Sequence, residues 1–226
     1  MQFAHAPSWR LSAGDGQASE QLLLFVRDAA GLRVPPDPLV PPPLLGDVPH
    51  TTEMTPDQQR AAGSQWSAWW RDALDLEIAR HRHDGRDDAL NRHERARQKI
   101  SDLEALCDPP HFTALADRPE LQAAARASIE EFRRWTSRAR RQPNGDRPSS
   151  PLDWALIKQV AEDVAFDHAV SPDRVRASIT VLPVHGTWWR RIAPGLVICS
   201  TAAAAEHTTA QPLLHDAFDS HVRGAA

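Results

Sequence analysis

At 226 residues, with 41% hydrophobic and 25% charged side chains, the chain is long enough to bury a core and too apolar to be disordered. A net charge of −4 excludes a protein that holds nucleic acid by overall charge. No apolar run reaches the ~20 residues of a membrane-spanning helix. Residues 1–10 lack the basic start and apolar stretch of a secretion signal, so the expected compartment is the cytoplasm, with no membrane partner.

Lys99 and Lys158 are the only lysines; with 19 prolines, the arginine bias is what a GC-rich bacterial genome produces. Cys107 and Cys199 are the only cysteines, far apart in sequence, and two buried thiols are expected rather than a bridge.

Ser8 to Leu11 reads as a short strand, followed by a turn at residues 14–16. Residues 19–30 read as a helix: Ser19 is a candidate cap, Leu22, Leu23, Phe25 and Val26 form the apolar face, and Gly31 is a stop signal. Residues 34–49 hold seven prolines, a density that no helix or central strand survives. An extended polyproline-like segment is expected. Pro35 and Pro38 fit a P-x-x-P ligand, but Leu39, Val40, Leu44, Leu45 and Val48 favour a strap lying on the protein's own surface.

Thr55-Pro56-Asp57-Gln58 opens a helix to about residue 81, with a capping Thr, Pro at the first position and Gln three residues on. Trp66, Trp69, Trp70, Ala73, Leu74 and Ile78 keep helical spacing, so core packing is expected over base or ligand stacking. The histidines and carboxylates of residues 81–88 read as a charged helix end. A further helix is expected over 88–107, with His93 on its apolar face. Another starts at Asp117 with the stripe Leu121, Ala125, Ile129, Phe132, Trp135 and Ala139. Its basic end, Arg133, Arg134, Arg138, Arg140, Arg141 and then Arg147, suits a helix C-terminus. A nucleic-acid patch is the less favoured reading, because Glu130 and Glu131 dilute the charge and no binding motif accompanies it.

Residues 142–149 form a Pro/Gly/Asn/Ser linker and the best domain boundary. The expected organisation is a helix plus strap over 1–50, a helical region over 51–142, and a C-terminal region over 150–226. The last holds a helix to about residue 168, a sheet over 177–200 and a terminal helix over 211–222. In the sheet, Ile179, Val181 and Pro183 alternate with Thr180, Leu182 and Val184, the period of a strand. His185-Gly186 reads as a two-residue hairpin turn, 187–192 as the return strand with Trp188 and Trp189 on opposite faces, and 196–199 as a third strand. The expected fold class is therefore α+β, mostly helical, with a three-stranded antiparallel meander.

No phosphate-binding loop, dinucleotide fingerprint, nucleophile elbow or cysteine cluster is present in the sequence. One order of elements does resemble a known core. A helix, a strand, a Pro-Gly turn, a strand ending Val-Ile-Cys-Ser and a helix carrying His215 are similar to the core of zincin-type metallopeptidases. There the last helix carries H-E-x-x-H; here the place reads His215-Asp216-Ala217-Phe218-Asp219. The resemblance implies zinc held by His215 and Asp219, with His207 as a third ligand and Asp216 as catalytic base. Two motif positions depart from that pattern. The preferred expectation is thus a non-catalytic interaction or assembly protein without a cofactor. Its partner would be another protein or a second copy, and Trp188, Trp189, Arg190 and Arg191 its interaction residues.

Overall fold

The structure is a computed structural model, and it describes residues 9–15, 18–84, 106–141 and 151–224. The chain falls into two compact units, one made of Met1–Gly16 with Asp146–Ala226 and the other of Gln17–Gly145. The first strand therefore belongs with the C-terminal region, and the first helix and strap with the helical region. They do not form a separate segment over 1–50.

In the sheet-bearing unit, β1 (Arg10–Asp15), β2 (Arg176–Leu182), β3 (Trp189–Ala193) and β4 (Leu196–Ser200) form one sheet in the order β1-β2-β4-β3. β1 runs parallel to β2 and β2 parallel to β4; only β3 and β4 are antiparallel. This corrects the expected three-stranded antiparallel meander: the sheet is mixed and has four strands. The reason lies in residues 183–188. Pro183 has no N–H to extend a ladder, and the Val184 N–H bonds back to Leu182 O at 2.9 Å. His185-Gly186 therefore makes no hairpin, and the chain passes β4 to reach the far edge. The tight turn is at Pro194-Gly195, where Gly195 takes φ 75°. β4 is buried at every position, as a strand covered on both faces must be.

Among the described residues, three α-helices belong to this unit: α4 (Trp154–Asp167), α5 (Thr201–Ala205) and α6 (His207–Gly224). One sheet face, with Ile179, Val181, Val197 and Cys199, shares a core with Leu156, Val160 and Val164 of α4 and Leu213, Leu214 and Phe218 of α6. The cap of α4 is Asp153, whose Oδ1 accepts the Ala155 N–H at 2.9 Å, so the helix starts later than residue 150. Ser200 caps α5, its Oγ accepting the Ala203 N–H at 3.1 Å.

The helical unit contains α1 (Ala18–Ala29), α2 (Pro56–Asp84) and α3 (Pro119–Arg141). Gly31, at φ 60°, ends α1 with the Leu32 N–H on Arg27 O and the Gly31 N–H on Asp28 O, the paired bonds of a left-handed helix stop. At α2, the Gln58 N–H bonds Thr55 Oγ1 and the Thr55 N–H bonds Gln58 Oε1, a reciprocal capping box. Trp66, Trp69 and Trp70 are all buried. Their indole N–H groups donate to the carbonyls of Leu23, Leu106 and Leu39 at 2.7, 2.9 and 2.9 Å. With no ring face free, these side chains are core. Before residue 106, the helix expected over 88–107 lies outside the described residues, as does the linker 142–149.

The proline-rich segment is tied down along its length. Arg27 Nη1 and Nη2 donate to the carbonyls of Pro41 and Pro42 at 2.5 and 2.9 Å. Asp28 Oδ2 accepts the Leu44 N–H at 2.7 Å. A turn over residues 37–40, closed by the Val40 N–H on Asp37 O, bends the chain at the end of the P-x-x-P. Leu44 is buried, whereas Leu45 is exposed, contrary to the expectation that both are covered.

Gly63 sits where the start of the strap crosses α2. A Cβ there would lie 2.2 Å from Arg33 O, a backbone atom anchored by the Arg33 N–H on Gln59 O. Gly63→Ala should therefore destabilise the unit by about 1–3 kcal/mol, despite alanine's better helix propensity. Urea unfolding followed by tryptophan fluorescence checks this, and unchanged stability would contradict the close approach.

Candidate interaction site

β3 is the end strand of the sheet and pairs only with β4. Trp188 O accepts the Ser200 N–H at 2.8 Å, and the Trp188 N–H donates to Ser200 Oγ at 3.1 Å. An antiparallel ladder alternates bonded and non-bonded pairs. Arg190, opposite Ile198, is the next bonded pair, so the backbone groups of Trp189 and Arg191 turn away from the sheet. Consistent with this, Arg190 Nη1 reaches round to Trp189 O at 2.7 Å. No strand lies beyond β3 among the described residues.

Side chains alternate across this edge. Trp189 packs on the core shared with α4 and α6, and Arg191, on the same face, donates to Asp216 Oδ1 at 2.6 Å. On the other face the Arg190 guanidinium lies 5.9 Å from the Trp188 ring. Both tryptophans are half-buried, as an edge strand leaves them; neither is the fully buried anchor that a central return strand would provide. Beside β3 runs an open groove of about 580 Å³ between residues 191–194 and Asp219, Arg223 and Gly224 of α6.

Of the residues implied by the metallopeptidase resemblance, His215 and Asp219 stand one turn apart on α6, but His207 does not join them. His215 is exposed on α6, and Asp216 is committed to Arg191. Asp219 Oδ1 accepts His168 Nε2 at 2.8 Å and forms an ion pair with Arg223 Nε at 3.2 Å. His207 opens α6 and stands eight residues before His215, roughly 12 Å along the helix axis. A zinc ion needs its ligands about 2 Å away. Among the described residues no group of three or more His, Cys, Asp or Glu is placed to hold a metal. These side chains do not fit zinc.

Asp219 ties the end of α4 to α6. Partial burial works to raise its pKa, but the His168 N–H, Arg223 and His215 hold the carboxyl below the usual range. Such a group stabilises the fold above the unfolded carboxylate value near 4, and the contribution is lost as pH falls through the depressed folded value. Asp219→Asn should therefore cost about 1 kcal/mol at pH 7, a cost that shrinks as pH falls through the depressed folded value. Thermal melts across pH 3–7 read this directly.

The other chemically notable groups are quiet. Burial pushes the Cys199 thiol up to about 12 and the Cys107 thiol higher still, so neither is a ready nucleophile. Glu20, the one buried carboxylate among the described residues, is raised by burial and then by Glu77, and accepts from Ser19 Oγ at 3.1 Å. On α3, Arg133 pairs with Glu130, and Arg134 and Arg138 with Glu131, which spends most of the basic patch within its own helix. Arg147 and the side chains of Arg140 and Arg141 lie outside the described residues. No described helix is long and apolar enough to cross a membrane.

No family model, curated protein or solved structure matches this chain. The molecule is thus defined by its fold and by this edge: a mixed four-stranded sheet with helices, and a separate helical unit held by a proline strap.

Proposed function

We propose that the protein is a non-catalytic interaction module whose β3 edge accepts an extended segment of a protein partner. One observation carries the reading: an end strand with outward backbone groups at Trp189 and Arg191, beside an open groove. Unpaired strand edges template further strands unless something blunts them. Among the described residues the Arg190 side chain reaches across the edge, and a flexible guanidinium is readily displaced.

Proline at position 191 removes the outward N–H and is tolerated on an edge strand. Partner capture from extracts of the source cells, with wild type and Arg191→Pro side by side, tests the proposal. A partner held by the wild type and lost by a variant with a native circular dichroism spectrum supports it. Equal capture by both places the binding surface elsewhere.

A further inference from the structure

We infer that the segment received by β3 is acidic and comes from a different protein rather than from a second copy of this chain. The inference rests on the reading of β3 as a docking edge. The exposed side chains of β3 are Arg190 and Arg191, and Arg223 faces Arg191 across the groove. Arg191 and Arg223 share their charge with Asp216 and Asp219, while Arg190 has no carboxylate partner among the described residues. Three guanidinium groups thus face two carboxylates along one edge.

A strand added beside β3 would lie about 4.8 Å away, with alternate side chains on its two faces. On one face they would sit next to Arg190, on the other next to Arg191. Opposite charges directly across a ladder stabilise it and like charges weaken it. Pairing β3 with β3 of a second copy would bring these arginines against one another. Carboxylates from an acidic strand would meet a guanidinium on either face. The chain's net charge of −4 does not reverse this. At physiological ionic strength charges farther off than about 8 Å are largely screened, and contact pairs decide.

Fluorescence anisotropy with labelled octapeptides of alternating glutamate and valine, glutamine and valine, or lysine and valine tests the inference on the full chain. The acidic peptide should bind about tenfold or more tightly than the glutamine peptide and weaken with added salt. Arg190→Glu, which breaks no ion pair and should melt like the parent, should abolish that preference. N-methylation of alternate peptide amides should abolish binding, because strand addition needs those N–H groups. If the glutamine peptide binds as well as the acidic one and N-methylation still blocks both, the acidic partner is wrong and strand addition stands. If no peptide binds, or binding ignores N-methylation, the edge reading falls as well.

Discussion

Arg27→Ala should cost the helical unit about 3–5 kcal/mol, because it removes one partner of a nearly buried ion pair. The Arg27 side chain is 7% exposed and that of Asp28 14%. The guanidinium donates to Asp28 through Nε at 2.6 Å and to two strap carbonyls, and it lies 5.5 Å from the Trp66 ring. Alanine would leave the Asp28 charge and the Pro41 and Pro42 carbonyls without these donors. Lysine restores the charge but not the fork, so Arg27→Lys should recover only part of the loss. Urea unfolding measures both. Limited proteolysis should show cutting within 34–50 in Arg27→Ala before the rest of the unit opens. If Arg27→Ala unfolds like the parent, the strap is held without the guanidinium, by its apolar contacts and the hydrogen bonds of Leu39 and Leu44.

Trp66→Ala should be of similar size, about 3–5 kcal/mol, through loss of a large core side chain. Trp66 is fully buried, stacks on Trp70 with ring centres 5.6 Å apart at 6°, and donates to Leu23 O on α1. Trp154, 59% exposed on α4, provides a control that should cost far less. Because Arg27 rests on the Trp66 ring, the double variant should cost less than the two single losses added together. Strict additivity would show that the guanidinium and the ring act independently.

What was legible in the sequence was what local rules control. The Gly31 stop, the Thr55–Gln58 capping box and the inward Leu213, Leu214 and Phe218 all follow from contacts within a turn or two of helix. Strand order was not legible. An alternating run in β2 shows that a strand forms, but not that Arg10 will lie beside Arg176, or that β4 will sit between β2 and β3. The clue was present in β4: an unbroken apolar run is the signature of a central strand, whereas a hairpin member facing water on one side would alternate. Long-range polar ties escape sequence periodicity for the same reason. Gln65 of α2 caps α3 by accepting the Leu121 N–H at 3.0 Å, and Asp219 meets His168. Each pairs residues far apart in the chain. At the candidate site, the sequence marked Trp188 to Arg191 by composition. Only the strand order shows that they occupy an edge.

The central claim is that the β3 edge is open in the free protein. Residue-resolved amide hydrogen exchange tests it without any partner. The Arg191 N–H, turned away from β4, should exchange orders of magnitude faster than the Arg190 N–H, which faces Ile198. Equal, strong protection of both amides in the free chain would show that something already covers this edge, and would contradict the account.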